Sequence, residues 1–342
     1  MSGGAALAAF LVALVAALVL TPVARRAAFA LDVLDRPDRR LKRHREPVPY
    51  LGGAAIFLAV VSSVVAVKVA VGTGDWPGRM HGVVGLLAGS SVVCLLGLWD
   101  DFDPLTPRLK LLVQAAAAAI PIGLGVHIKF IENPWGAVPL TLLWLVGVTN
   151  ALNLLDIKDG LCAGIAAIAA GWFWLISAQH GRMNDAIVAA AVAGAALGFL
   201  KYNRAPARIF MGDTGSLFLG FVLASVAIGQ GYSQTTNLAV LAPVLILGVP
   251  VFETLFVMAV RRQQGKPMLQ GSPDHIPIRL ERMGYPMPRA VAILWAAGAG
   301  LGGVAYAVVQ LNWERALLVC GAVGVLGMLA AIRLASVRVE RG

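Results

Sequence analysis

The sequence predicts an all-α, polytopic integral membrane protein, and three observations carry that prediction. Of 342 residues, 58% are hydrophobic and only 13% are charged, against roughly 25% charged in a soluble domain. Apolar stretches of bilayer-spanning length, about 20 residues each, recur along the whole chain. The Lys and Arg residues between them are divided very unequally between alternate gaps, as membrane topology requires.

Eleven apolar runs are centred near residues 4–24, 51–71, 82–98, 109–128, 136–153, 161–178, 185–201, 214–230, 238–260, 290–310 and 315–334. The first follows an uncharged stretch, Met1 to Ala6, and precedes Arg25 and Arg26. That order predicts a retained helix with its N-terminus outside rather than a cleaved secretory signal. The second carries Lys68 near its outer end, where a long side chain can snorkel to the surface. The third runs into Asp100-Asp101, and the fourth, Ala-rich, is entered through Pro107. The fifth ends among Asn and Asp residues, the sixth follows Gly160, and the seventh is again Ala-rich. The eighth follows Gly212-Asp213-Thr214-Gly215-Ser216, and the ninth contains Glu253. The gaps are too short for a soluble domain. The prediction is one transmembrane domain over 1–342, with inside loops 25–50, 99–108, 154–160, 201–213 and 261–289. Cys94, Cys162 and Cys320 stand singly inside apolar runs, without ligand or disulfide spacing, which assigns them to packing.

With the N-terminus outside, 23 of the 28 Lys and Arg residues fall on the inside. Only Arg79, Lys129, Arg182 and Arg315 lie outside, with Lys68 inside helix two. A net charge of +10 could suggest nucleic acid, yet the basic residues are spread over many short loops and not interleaved with aromatics, so no nucleic-acid partner is predicted. The same map sorts the acids, which the topology rule did not use. Asp100, Asp101, Asp103, Asp156, Asp159, Asp213 and Asp274 all fall inside, at or next to helix ends.

Three clusters carry chemistry. Asp100-Asp101-Phe102-Asp103-Pro104 leads through Pro107-Arg108-Leu109-Lys110 into helix four. Adjacent carboxylates repel unless a cation or proton sits between them; the plain alternative is a solvated loop capping helix four. In Asn150-Ala151-Leu152-Asn153-Leu154-Leu155-Asp156-Ile157-Lys158-Asp159-Gly160-Leu161, Asn150, Asn153 and Asp156 recur every three residues and share one face if helix five continues. Asn and Asp oxygens are hard ligands of the kind Mg²⁺ prefers, and Asn amides also read nucleobases or sugar hydroxyls. A capped polar helix end is the alternative. In Asn203-Arg204-Ala205-Pro206-Ala207-Arg208-Ile209-Phe210-Met211-Gly212-Asp213-Thr214-Gly215-Ser216, glycines allow close backbone approach at a helix N-terminus suited to a phosphate or its metal. An ordinary N-cap would use the same residues.

The long inside loops add weaker candidates. Lys42 and His44 lie in a basic stretch that also reads as an anchor against anionic lipid heads. Asp274, His275 and Arg279 could grip a pyrophosphate or sugar. Glu253 lies roughly 12 Å deep at 1.5 Å per residue, either functional or paired with a neighbouring helix.

Taken in order, these motifs resemble the polyprenyl-phosphate N-acetylhexosamine-1-phosphate transferases, a family that includes phospho-N-acetylmuramoyl-pentapeptide-transferase. The resemblance spans about Asp35 to Gly284. It rests on the Asp-Asp loop before Lys110, Asn-x-x-Asn-x-x-Asp-x-x-Asp-Gly-Leu at 150–161, Phe-Met-Gly-Asp-x-Gly-Ser at 210–216, and Pro250-Val251-Phe252-Glu253-Thr254. It implies an eleven-helix fold in which Asp100 and Asp101 flank the acceptor phosphate, Asp213 and Asn153 hold Mg²⁺ (with Mn²⁺ as a substitute), Asp156 and Asp159 face the nucleotide sugar, and Phe210 lies against uracil. Asn150, Asn203, Arg204, Lys42, His44, His275 and Arg279 complete the expected substrate contacts. Two departures stand out. Ile157-Lys158 replace the Gly-Leu of many members, and only His275 remains of a His-rich loop, with Pro277 and Ile278 at formerly polar positions. The triple-His loop of the muramoyl-pentapeptide branch is absent.

The implied reaction joins a hexosamine 1-phosphate from a UDP-N-acetylhexosamine to undecaprenyl phosphate, at the inner face of a bacterial cell membrane, as the first membrane step of a cell-envelope glycan pathway. Lys110, Arg204 and Arg279 are the expected positive cover for the phosphates, and Asp100 or Asp101 the group that orients or deprotonates the lipid phosphate. The bilayer and a second copy of the chain in a homodimer are the other partners considered. An ion-coupled transporter is the alternative, although transporter sites lie near the bilayer midplane and here only Glu253 is deep. A CDP-alcohol phosphotransferase would need an Asp-Gly-x-x-Ala-Arg motif that the sequence lacks.

Overall fold

The computed structural model describes residues 2–36, 47–71, 81–229, 237–265 and 274–337. The chain forms two compact units, Met1–Gly231 and Tyr232–Gly342. In the first, α1 (Ser2–Ala30), α2 (Gly52–Val71), α3 (His81–Phe102), α4 (Pro107–Gly123), α5 (Pro134–Leu155), α6 (Leu161–Gln179), α7 (Met183–Asn203) and α8 (Gly212–Gly229) pack together. A short antiparallel hairpin, β1 (Leu34–Asp35) on β2 (Val48–Pro49), lies between α1 and α2 in the chain. In the second unit a 3-10 turn at Asn237–Leu241 leads into α9 (Ala242–Ile246), α10 (Gly248–Gln263), α11 (Ile276–Arg282), α12 (Met287–Gln310) and α13 (Trp313–Ala335).

Each of the eleven apolar runs contains helix, but the expected count of eleven crossings is not reached. Among the described residues nine helices are long and apolar enough to cross a membrane, or ten if one bent pair is counted as a span. The helix missing from that set is α4, whose 17 residues make about 25 Å of helix, short of a roughly 30 Å hydrocarbon core. The bent pair is the ninth run: Leu238–Ile246 and Gly248–Gln263 meet at 79°. Pro250 explains the break, because it has no N–H to donate to the Ile246 carbonyl and its ring crowds that carbonyl.

Helix ends differ from the sequence expectation in ways that matter for the site. The third helix does not stop before the acidic pair; α3 runs through Asp100 and Asp101 to Phe102. The fourth begins at Pro107, with the Thr106 hydroxyl accepting from the Leu109 N–H at 3.4 Å, a polar cap and first-turn proline at a helix start. The fifth does continue, so Asn150 and Asn153 are helical and Asp156 is the C-cap residue.

At the heart of the first unit stands α8, buried from Thr214 to Ala227 without a solvent face. It touches α2, α3, α5, α6 and α7, as a helix apolar all round must. Glycines set how near its neighbours come. A Cβ at Gly53 would sit 2.1 Å from the Gly215 nitrogen, and one at Gly97 2.4 Å from the Asp213 carbonyl oxygen. Backbones of α2 and α3 therefore lie directly against the start of α8. The segment entering α8 is tied to the chain before α2 by Phe210 N–H to Pro49 O, Gly52 N–H to Phe210 O and Gly53 N–H to Met211 O, at 2.8, 3.0 and 2.9 Å.

Candidate active site

The site of the first unit is assembled where α3, α4, α5 and α8 end or begin. Lys110, one turn into α4, donates to Asp100 Oδ2 of α3 at 2.6 Å and to Asp213 Oδ2 of α8 at 2.7 Å. Asn153 of α5 donates to Asp213 Oδ1 at 2.9 Å and to the Ser216 hydroxyl at 3.0 Å. Asp100 Oδ1 accepts the Leu105 N–H at 2.7 Å, which folds the turn after α3 back onto its last residues. Asp101 accepts from the Asp213 N–H at 2.8 Å, the Thr214 N–H at 3.1 Å and the Thr214 hydroxyl at 2.6 Å. Two carboxylates from two helices thus share a single ammonium, and a third, Asp101, lies against the backbone of Asp213; all are partly buried.

That charge balance decides what the site can hold. Lys110 offers three N–H donors and two are used, leaving one. The group as a whole carries more negative than positive charge, which suits a cation. Among the described residues no three His, Cys, Asp or Glu side chains converge into a protein cage for a metal. An ion held by one or two carboxylates while keeping waters for the rest, the habit of Mg²⁺, fits this donor set. Asp213, with Asn153 beside it, could hold such an ion. The amide orientation of Asn153 is set by the hydrogen-bond network, and turning it would present its oxygen instead.

Asp156 sits close by at the end of α5 and forms no side-chain hydrogen bond among the described residues. Burial, reinforced by the charges of Asp213, Asp101 and Asp159, pushes its carboxyl up to about 8. Phe210 packs its ring 6.0 Å from that of Tyr50, tilted by 53°. Burial and the neighbouring Asp35 carboxylate, to which the phenol is hydrogen-bonded, raise the Tyr50 hydroxyl above its usual range.

Other predicted site residues are placed as internal ties. Asn150 and the buried Gln114 of α4 form an amide pair, Asn150 Nδ2 donating to Gln114 Oε1 at 2.5 Å and to Val146 O at 2.8 Å. Asn203 is buried, its oxygen accepting the Gly160 N–H at 3.0 Å and its amide donating to Ile209 O at 3.0 Å. Asp159 accepts the Ala207 N–H at 2.9 Å. These two residues lock the turn after α5 to the loop before α8. Arg204 is exposed at the C-cap of α7. Lys42 and His44 lie outside the described residues.

His275 and Arg279 belong to the second unit, in a separate buried network. Glu253 accepts from His275 Nδ1 at 2.9 Å and from the Ile276 N–H at 3.2 Å, so the deep carboxylate is paired and caps α11. Arg279 is 2% exposed. Its guanidinium donates to Asp274 O and Oδ1, both at 3.1 Å, and to the carbonyls of Leu334 and Val337 at 3.0 and 2.6 Å. Arg279, expected to cover phosphate, is here a clamp between α11 and the end of α13, with four of its five N–H donors engaged.

Sequence reasoning passed over Gln114, Gly97 and Tyr50. The first was discoverable: a lone amide in an Ala-rich run, four residues after Lys110 and so on the same helix face.

Fold and site together define a multi-pass membrane protein with an acid-rich site built from helix ends. Residues 83–230 match glycosyl transferase family 4. The chain is 34% identical over 299 residues, 85% of its length and 81% of the relative's, to the "probable undecaprenyl-phosphate N-acetylglucosaminyl 1-phosphate transferase" of Bacillus subtilis (strain 168). It is 32% identical over 312 residues to the phospho-N-acetylmuramoyl-pentapeptide-transferase of the same organism, covering 84% of this chain and 92% of that one. The corresponding transferase of Bacillus velezensis is 33% identical over 314 residues, with 84% and 92% covered. The chain belongs to glycosyl transferase family 4, a family of transferases, and the transporter alternative is left without support.

Proposed function

We propose that the protein transfers an N-acetylhexosamine 1-phosphate from a UDP-sugar to undecaprenyl phosphate, at the cytoplasmic face of a bacterial inner membrane, as the entry step to a cell-envelope glycan. The observation that carries this reading is the convergence of Asp100 and Asp213 on Lys110, with Asn153 alongside. The names of the relatives supply the chemistry of donor and acceptor.

In the reaction, an oxygen of the lipid phosphate attacks the sugar-bearing phosphorus of the donor. The P–O bond to the uridine-bearing phosphate breaks, and UMP leaves with the electron pair. Both reactants are anionic, so Coulomb repulsion opposes their meeting. Mg²⁺ held at Asp213 would neutralise the pyrophosphate and the charge that develops on the leaving oxygen. The chain's own groups set geometry. The third N–H of Lys110 points a fixed positive charge at the phosphates, and Asp100 holds that ammonium in place. The acceptor, a monoester with a second pKa near about 6, is already largely dianionic at neutral pH, so no strong base is required. Phe210 offers its ring to uracil, and Asp156, whose side chain forms no hydrogen bond among the described residues, faces the nucleotide sugar.

The test is purified protein with undecaprenyl phosphate and a panel of UDP-sugars, with Mg²⁺ or with chelator. UMP release and a lipid diphosphate sugar identified by mass, both abolished by chelation, are expected; no UMP from any UDP-sugar would refute the reading.

A further inference from the structure

The two adjacent acids at the end of α3 do different work, and their geometry separates them. Successive helical residues are about 100° apart around the axis, so Asp100 and Asp101 cannot face the same neighbour. Asp100 turns to Lys110 of α4. Asp101 turns to α8 and accepts the first N–H groups of that helix, from Asp213 and Thr214, together with the Thr214 hydroxyl.

A helix leaves its first N–H groups without intrahelical partners, and a side chain just before the helix normally takes them. Here that is impossible for α8. Its first residue is Gly212, with φ +67°, and the space where a Cβ would lie is filled by Asp101 Oδ2, 2.4 Å away. Asp213 could cap its own turn, but its carboxylate is directed outward to Lys110 and Asn153. Capping passes to a residue 112 positions earlier in the chain. The approach is made possible one turn back on α3, where Gly97 lies on the face shared with Asp101 and a Cβ would strike the Asp213 carbonyl.

We propose that Asp101 is a positioning residue, the tertiary N-cap of α8 that fixes the direction of the Asp213 carboxylate, and that of the adjacent pair only Asp100 faces the reactants. The proposal rests on the reading of Asp213 as the cation-holding group. Both oxygens of Asp101 accept from α8, which takes three of the carboxylate's roughly four acceptor sites.

The experiment compares wild type, Asp101→Asn and Thr214→Val in purified protein. Three readouts are taken: thermal unfolding without metal, Mn²⁺ binding by electron paramagnetic resonance, and the Mg²⁺, KM and pH dependence of UMP release. An amide in place of the Asp101 carboxylate keeps one acceptor but sets its own N–H₂ against the helix N–H groups. The expected result is a lower metal-free midpoint and metal half-saturation raised roughly 10–100-fold, the usual reach of a group that orients a ligand. At saturating Mg²⁺, kcat recovers to within severalfold and the pH profile keeps its shape. Thr214→Val, which removes one donor to Asp101 and leaves its charge, moves midpoint and metal affinity the same way by less. It covers the case in which Asp101→Asn does not fold. The proposal is overturned if kcat stays depressed at saturating metal while midpoint and Mn²⁺ affinity match wild type, or if the pH profile loses a limb. Unfolding and Mn²⁺ binding need no substrate. They judge Asp101 even if wild type turns over no UDP-sugar, an outcome that would fall on the proposed reaction instead.

Discussion

Two buried polar networks, one in each unit, use similar residues for opposite ends. In the first, Asp100 and Asp213 share the ammonium of Lys110 while Asp101 turns to the start of α8, and negative charge is in excess. In the second, Glu253 and Asp274 meet His275 and Arg279, and the guanidinium is engaged by a carboxylate and three carbonyls. A network buried away from solvent, with nearly all of its donors engaged inside the protein, offers little to a ligand, so it can serve to hold helices together. A network left with excess charge is strained until something of opposite sign arrives. Motif content does not separate the two cases; exposure does, since the side chains of Lys110 and Asp213 are 23% and 25% exposed and those of Arg279 and Asp274 2% each.

The contrast predicts how each network breaks. Asp213→Asn should lower UMP release by at least about 10²–10³-fold, the scale of removing one preorganised charge from a phosphoryl-transfer site. Unchanged turnover would move the cation elsewhere. Arg279→Met is the mirror case. It takes the guanidinium away from the buried Asp274 carboxylate and should destabilise the fold by about 3–5 kcal/mol, read as loss of thermal stability in detergent; a stable variant that merely loses substrate affinity would restore Arg279 to the binding site.

Gly97→Ala sharpens the point that the site depends on backbone proximity. Its new methyl meets the Asp213 carbonyl, and the cost expected for such overpacking is about 1–3 kcal/mol, accompanied by weakened metal binding. Gln114→Leu is the mildest. It takes one partner from the Asn150 amide, which keeps Val146 O, worth about 0.5–1.5 kcal/mol, with turnover little changed.

Asp156 gives a pH test. Its carboxyl ionises near 8 in the fold and near 3.8 otherwise. Between those values the folded state holds a proton that the unfolded state has lost, so stability falls as pH rises through this window and levels off above it. Without metal, the thermal midpoint of Asp156→Asn should gain on wild type steadily from about pH 4 to about pH 8. A constant difference would show that Asp156 is ionised throughout.

Much of the fold was legible because apolar runs of bilayer length leave few alternatives, and every one of them contains helix. The break at Leu247 was not, although Pro250 and Gly248 stood in the ninth run, because a proline is tolerated inside many membrane helices. The shortness of α4 was hidden by an alanine stretch whose hydropathy continues past the helix end. In the site, Asp100, Lys110, Asn153 and Asp213 were recognisable by residue type and order. What sequence could not assign was direction. Asp100 and Asp101 are neighbours in the chain and face different helices; Asn150 and Asn153 share a helix, yet one is paired with Gln114 and the other with Asp213. Such roles depend on which neighbour stands 3 Å away, and that is settled by packing between elements remote in sequence.

The central claim is that excess negative charge around Lys110 binds a divalent cation at Asp213. Calorimetric titration of Mg²⁺ into purified wild type and Asp213→Asn, with no substrate present, tests it most directly. The account predicts one saturable site in wild type that vanishes in the variant. Equal binding by both proteins would contradict it.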